Sequence, residues 1–438
     1  MKSDYKLHWT TESQMFYNRD KIIKCEGKYI YDETGKKYLD LNSGTWNVIL
    51  GYNRKEFKKV LENQLNEVQF VPNVRFCHEQ GIKLSSRILG YLPNTYTNIF
   101  YTCGGGEAVE TALKIAKQYW YNKGFKAKHR VISLYESYHG STLGAMSVSG
   151  DPWDRIPFDT ILNDSLKFIP QYCYNCRLGL TKKNCNYACI KNLEYIINFY
   201  GEENISSLII EPIMGVGGII IPDKKWIQDL VNLCHKYNII VIFDEVSSGF
   251  GRCGNYFSFL DYEVEPDIIT FGKAASNGVQ ALGGAIVKRE IFDTFVDEDT
   301  SKQFRHGFTN SGHPIACAVG NKVLDIFEEE KILSKIKKIE KMMIEKYSSL
   351  KNLKYIGEIR IKGLMVGIEM KNPFKNEVLD INDLEYRFKE KGIIMSRMYG
   401  VICFMPTILT NEKDIDYSIS CIKEIIESYI YENQDKLR

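Results

Sequence analysis

The sequence predicts an α/β fold with a large, mostly parallel-sheet domain and a smaller α/β domain. Three observations lead there. Between about residues 95 and 290, short apolar runs alternate with helical patterns: Asn98-Ile-Phe-Tyr-Thr102, Val131-Ile-Ser-Leu134, Leu208-Ile-Ile210, Ile239-Ile-Val-Ile-Phe243 and Ile268-Ile-Thr270. These runs are apolar throughout, the mark of strands buried on both faces of a parallel sheet covered by helices. Beyond residue 320, a charged helical stretch is followed by a further strand pattern and a closing helix, enough for a second, smaller α/β unit.

The elements follow in order. Lys28–Leu41 carries a Glu-Thr-Gly turn at Glu33–Gly35 between alternating residues and reads as a hairpin. Arg54–Glu67 has amphipathic helical spacing. Ala281–Val287 is a further strand weakened by its glycines. Lys322–Glu345 reads as one charged helix, Ile361–Met370 as one strand, and Glu412–Tyr431 as the closing helix. The predicted division is an N-terminal segment, 1–65, contributing to the small domain; a large domain, 66–320; and a C-terminal small domain, 321–438.

Composition narrows the function. The 438 residues are 44% hydrophobic and 26% charged, with 57 Lys+Arg against 55 Asp+Glu. A formal net charge of +2 offers no bulk attraction to nucleic acid or an anionic membrane. The opening Met1-Lys-Ser-Asp-Tyr-Lys-Leu-His8 lacks the apolar core of a secretory signal, and no run of about 18 apolar residues occurs. A cytoplasmic protein without membrane or nucleic-acid partners is expected.

Most of the twelve cysteines stand singly in apolar stretches and act as small hydrophobes. Cys173, Cys176, Cys185 and Cys189 are spaced in a way that suits a thiolate zinc site. No second signal supports a metal, and the four are expected to stay reduced in a metal-free loop.

The chemistry-bearing residues fall at strand ends. Val241-Ile-Phe-Asp244 ends a strand on a carboxylate, and Asp267-Ile-Ile-Thr-Phe-Gly-Lys273 ends the next on an amine. A buried amine among polar groups loses its proton and attacks carbonyls to give a Schiff base. A carboxylate that keeps a pyridine nitrogen protonated makes a bound pyridoxal ring an electron sink. Thr102-Cys-Gly104-Gly105-Gly106-Glu107 opens a helix with an Ala108, Ala112, Ile115, Tyr119 apolar stripe; backbone N–H groups there suit a phosphate. Tyr138-His139-Gly140 offers an aromatic face for a flat heterocycle. Glu211-Pro212 places another carboxylate at a strand end, where open α/β sheets bind ligands.

From about Gly35 to Pro406 the sequence resembles the class III aminotransferases of fold type I, closest to the ω-aminotransferase or amine:pyruvate branch. The resemblance rests on Gly104-Gly-Gly-Glu-Ala-Val-Glu110, Tyr138-His-Gly140, Glu211-Pro212, Asp244-Glu-Val-x-x-Gly-Phe-Gly-Arg252, Lys273 and Thr309-Asn-Ser-Gly-His-Pro314. It implies pyridoxal 5′-phosphate as cofactor, held covalently by Lys273, with Asp244 on the ring nitrogen and Val246 and Tyr138 on the two ring faces. Gly105 and Gly106 would take the phosphate, with Thr309 supplied by the partner of a homodimer that shares its active sites. His139 and Glu211 belong to the implied cofactor site. The implied reaction is ping-pong transfer of an amino group from an amine or amino acid to a small α-keto acid.

The chain departs from the pattern at several places. Cys403 stands where the family often has an arginine, and a thiol cannot make the bidentate contact of a guanidinium. This leaves Glu211 without its usual partner and argues against ornithine-like or 4-aminobutyrate-like substrates. Arg397 and Trp46 match the amine:pyruvate branch's carboxylate-binding arginine and pocket aromatic, and are the expected substrate contacts. Ser247 replaces a glutamine, and Gly104 and Gly106 replace hydroxyl residues. A racemase or epimerase on the same scaffold shares the first proton transfer; exchange of the Cα hydrogen without amino transfer would identify it. A cofactor-binding protein without catalysis is disfavoured by the intact Lys273 and Asp244.

Overall fold

The computed structural model describes residues 20–161 and 165–438. The opening segment in which no secretory signal is read, with the rest of residues 1–19, lies outside the described residues.

The chain begins with an antiparallel meander of β1 (Ile22–Glu26), β2 (Tyr29–Asp32) and β3 (Lys37–Asp40). The predicted hairpin is β2–β3, its turn fixed by the Asp32 carboxylate, which accepts the Thr34 and Lys36 N–H groups. A helix over Lys55–Glu67 follows, as its spacing predicts.

The large sheet has seven strands: β4 (Tyr96–Thr102), β5 (Arg130–Leu134), β6 (Leu166–Phe168), β7 (Ile205–Ile210), β8 (Ile240–Asp244), β9 (Ile268–Phe271) and β10 (Gly283–Lys288). Their order is β4-β10-β9-β8-β7-β5-β6. Only β10 runs against its neighbours, pairing antiparallel with both β4 and β9; β6, β5, β7, β8 and β9 are parallel.

Alternation along these strands splits the core between the two faces. Ile132, Leu208, Ile210, Val241 and Phe243 join Trp226, Ile227 and Leu230 of the helix Lys224–Lys236. Val131, Ile209, Ile240 and Ile242 join Val109, Ala112, Ile115 and Tyr119 of the helix Gly105–Asn122 on the other side. A sheet sandwiched in this way needs runs of unbroken apolarity, which is why these strands are legible in sequence.

A second sheet is antiparallel: β11 (Ile356–Lys362), β12 (Met365–Met370), β14 (Ser396–Met398) and β15 (Val401–Phe404), in the order β11-β12-β15-β14. The short β13 (Ile393–Ile394) instead runs parallel to β3, joining the C-terminal region to the N-terminal meander. The long helix Glu412–Glu432, followed only by the short helix Gln434–Leu437, is started by a capping box in which the Asn411 side chain accepts the Asp414 N–H and Asp414 accepts the Asn411 N–H.

Two expectations are corrected. The charged stretch 322–345 is not one helix but the end of Pro314–Glu329 and most of Ile332–Tyr347, separated at Lys331, whose φ of 52° breaks the helical run. Unbroken charge and helix-forming residues hide that turn. The stretch 361–370 is not one strand: the chain reverses at Gly363, φ 58°, between β11 and β12. A Cβ on Gly363 would lie 2.3 Å from the Arg252 carbonyl oxygen. Gly363→Ala combines left-handed strain with a backbone clash and should cost about 2–4 kcal/mol of stability, read as a lowered denaturant midpoint.

Candidate active site

The site lies where β4, β5, β7, β8 and β9 end. β5, β7, β8 and β9 are buried along almost their whole length and β4 is half-buried, so the residue after each last rung is held in place, and the turns there converge on one crevice.

Asp244 is the last residue of β8 and is 4% exposed. His139 Nδ1 lies 2.8 Å from its Oδ2. Its Oδ1 accepts from the hydroxyl of Thr270, its cross-strand partner on β9, at 3.0 Å and from the Val246 N–H at 3.1 Å. These contacts fix the carboxylate. The Nε2 of His139 is buried and has no hydrogen-bond partner among the described residues.

Lys273 follows β9 through Gly272 and has φ 41°, a left-handed conformation that costs a residue with a Cβ about 1–2 kcal/mol. Its amine donates to Ser247 Oγ at 2.7 Å and sits 4.6 Å from the centre of the Trp46 ring. Removal from water pushes the amine down to about 8, helped by the Arg252 charge and opposed by Glu211 and Asp244. At pH 7 about a tenth of this lysine is therefore the neutral nucleophile, far more than an amine at its usual 10.5 would supply.

Glu211 is buried just after β7, with Oε1 accepting the Tyr138 N–H at 3.1 Å and Oε2 the Gly215 N–H at 2.9 Å. Desolvation raises its carboxyl to about 7, His139 opposing and Asp244 reinforcing the rise. Its folded value thus exceeds the usual 4.5, so the native state holds the extra proton between about pH 4.5 and 7. Stability therefore falls as pH rises through that window. Glu211→Gln is expected to flatten this fall in the cofactor-free protein, measured by denaturant titrations across the range.

The glycine turn behaves as its sequence predicts. Gly104 N-caps the helix Gly105–Asn122, leaving its first N–H groups facing the crevice end of the sheet. A Cβ on Gly105 would meet Val246 Cγ1 at 2.6 Å, and one on Gly140 would meet Gly106 Cα at 2.7 Å. The turns carrying Gly105, Gly140 and Val246 therefore touch, with Tyr138 half-buried beside them.

Trp46 reaches Lys273 through an unusual turn. Ser43, Gly44, Thr45 and Trp46 all have positive φ, 42°, 59°, 57° and 69°. The Asp40 carboxylate accepts the Asn42 and Gly44 N–H groups and the Tyr52 hydroxyl. The fully buried guanidinium of Arg252 donates to the Ser43 hydroxyl and the Trp46 carbonyl on one side, and to the Met405 and Pro406 carbonyls on the other. Sequence reading singles out Trp46 but not this scaffold, since a left-handed turn with one glycine leaves no compositional trace. It also misses Thr270, which only the β8–β9 register places against Asp244.

Two expected residues lie elsewhere. Arg397, on β14, pairs its guanidinium with Asp380. Thr309 is exposed on a loop lining a cavity of about 910 Å3 with Phe70, Val74 and Phe308. Cys403 is fully buried in β15 within an apolar cluster, and Glu211 has no ion pair among the described residues. Cys173, Cys176, Cys185 and Cys189 line a cavity of about 430 Å3. No three His, Cys, Asp or Glu side chains among the described residues are placed to hold a metal.

A carboxylate locked at a strand end, a depressed amine following the neighbouring strand and helix N–H groups at the same end of the sheet fit a pyridoxal phosphate. So do the orphaned His139 ring nitrogen and the slot in which Gly105 packs on Val246.

The aminotransferase class-III family pattern matches residues 11–426. The chain is 32% identical to the adenosylmethionine-8-amino-7-oxononanoate aminotransferase of Methanocaldococcus jannaschii, covering 97% of each. It is 30% identical to the putrescine–pyruvate aminotransferase of Pseudomonas aeruginosa, covering 93% of this chain and 90% of that one. The crystal structure of an (S)-enantioselective ω-transaminase from Thermomicrobium roseum superposes with a TM-score of 0.92 at 32% identity, over 97% of this chain and 96% of that one. The chain belongs to the class-III aminotransferases, pyridoxal-phosphate-dependent enzymes of fold type I that move amino groups from amine donors to keto acceptors.

Proposed function

We propose that this enzyme is an ω-aminotransferase-like catalyst that passes an amino group from an amine or amino acid to a small α-keto acid by a ping-pong route. The observation that carries the reading is the Lys273 amine, lowered to about 8 and set at the focus of Asp244, Glu211 and Trp46. Pyridoxal 5′-phosphate supplies the aldehyde that captures amines and the ring that accepts an electron pair.

The chain's own residues do the rest. Lys273 holds the cofactor until an amine displaces it, then acts as the base and acid that moves a proton at the donor carbon. Asp244, fixed by His139 and Thr270, would keep a proton on the ring nitrogen. Val246 and Tyr138 would hold the two ring faces, Gly105 and Gly106 would donate backbone N–H groups to the phosphate, and Glu211 would belong to the same cofactor site. Trp46 walls the substrate space beside the amine. Arg397 binds an acceptor carboxylate after leaving Asp380, an exchange of one carboxylate partner for another.

The active species is a homodimer with shared sites. Exposed Phe70 and Val74, with Val74 89% exposed, support this by lining the same cavity as Thr309. Thr309 would then complete the phosphate cup of the opposite subunit. The division into a 1–65 segment, a 66–320 large domain and a 321–438 small domain belongs to the same proposal, supported by the β3–β13 pairing. So does a cytoplasmic location; among the described residues no helix is long and apolar enough to cross a membrane.

The test is a donor panel of monoamines, diamines, ω-amino acids and S-adenosylmethionine, run against pyruvate and 8-amino-7-oxononanoate. Alanine formation from an amine donor is the expected result. No amino transfer to pyruvate from any donor overturns the reading.

A further inference from the structure

Ser247 stands where the family's glutamine would contact the ring hydroxyl. Its hydroxyl is the hydrogen-bond partner of the Lys273 amine, at 2.7 Å. Ser247 is half-buried and comes three residues after Asp244, on the turn whose next residues return to the core: Ser248 donates its hydroxyl to Glu245, which is 1% exposed and also accepts the Ser258 hydroxyl and the Phe259 N–H. The turn is thus anchored at Asp244 and at Glu245, and the Ser247 hydroxyl is presented from a fixed backbone.

The other side of the amine is the Trp46 ring, 4.6 Å from the nitrogen. Asp244 and Glu211 act on the amine through their charge, and neither is within hydrogen-bond distance of it. A primary amine has two N–H bonds and one lone pair. Donating one N–H to a fixed oxygen sets the rotation about its last carbon–nitrogen bond and so sets where the lone pair points. Lys273 is a free amine whenever a substrate amine has displaced it from the cofactor.

We propose that Ser247 is a positioning residue, an acceptor that holds the displaced Lys273 amine with its lone pair turned toward the substrate's reacting carbon. The proposal rests on the reading of Lys273 as the proton-moving group. It gives this chain a substitute for the contact its family makes to the cofactor: the hydroxyl serves the lysine instead of the ring.

The experiment compares wild type, Ser247→Ala and Ser247→Thr in two arms. In cofactor-free protein, reductive methylation of Lys273 is followed against pH by peptide mass spectrometry. The hydroxyl acceptor favours the protonated amine, so the midpoint is expected to fall by roughly half a unit in Ser247→Ala and return in Ser247→Thr. In the loaded enzyme, Ser247→Ala is expected to lower kcat about 10- to 100-fold with KM changed less than about twofold, and to raise the isotope effect with a Cα-deuterated donor. Ser247→Thr restores most of both.

An unchanged midpoint, or an unchanged isotope effect with normal kcat, makes Ser247 a bystander and overturns the proposal. A wild-type enzyme with a normal Lys273 midpoint shift but no amino transfer defeats the functional reading instead, because the first arm reads the lysine–serine contact without turnover.

Discussion

Lys273→Ala is expected to abolish amino transfer, with turnover down by about 10⁴-fold or more, and to leave the bound cofactor without its protein-linked visible absorption. The magnitude follows from two losses at one nitrogen. The variant cannot hold the aldehyde covalently, and it has no base at the carbon that gives up its proton, a role worth about 10²–10⁴-fold alone. The neighbours make substitution by a bystander improbable: Ser247 offers a neutral hydroxyl and Trp46 a ring. Folding should survive, since the variant loses an amine whose burial is unfavourable, while alanine carries the same Cβ cost as lysine at this left-handed position. Borohydride treatment followed by peptide mapping checks the bond; wild type should carry the label at residue 273 and the variant nowhere. Retained turnover in the variant would remove Lys273 from the mechanism.

The second large effect is expected at Asp244. Asp244→Asn should lower kcat by roughly 10²–10³-fold, corresponding to about 3–4 kcal/mol of lost charge stabilisation in a water-poor site. Asparagine keeps the size but not the charge, so the protein should fold and bind cofactor with altered absorbance. The surrounding contacts predict the readout. His139, Thr270 and the Val246 N–H all present donors to this carboxylate, and an asparagine can satisfy only part of them with its single oxygen. His139→Asn, which keeps a donor without the imidazole, should cost far less, about tenfold, because it loosens Asp244 without discharging it. Equal effects of the two variants in single-turnover measurements would mean that geometry, not charge, is what Asp244 supplies.

Much of the site was legible because it sits at strand ends. Asp244, Glu211 and Lys273 each follow an unbroken apolar run, and such runs are strong one-dimensional signals. Gly104–Gly106 was legible for the same reason, being wedged between a strand and a striped helix. What escaped depends on contacts across the chain. Thr270 matters through register, Ser247 through the approach of a side chain 26 residues away, and the Ser43–Trp46 turn through a guanidinium more than 200 positions later in sequence. The reversals at Lys331 and Gly363 escaped for a local reason: neither is flanked by the proline, asparagine or serine clusters that usually announce a turn.

The pairing of β3 with β13 has a consequence for biosynthesis. Leu39 leaves the ribosome long before Ile393 exists to bond with it. At ordinary translation rates that delay is roughly 20–70 s. During it the meander has an open edge, and Ser43 and Trp46 lack the Met405 carbonyl and neighbouring segment that brace them. The seven-stranded lobe can assemble in the meantime, so competence for chemistry should be the last property the nascent chain acquires, gained only as its final fifth emerges.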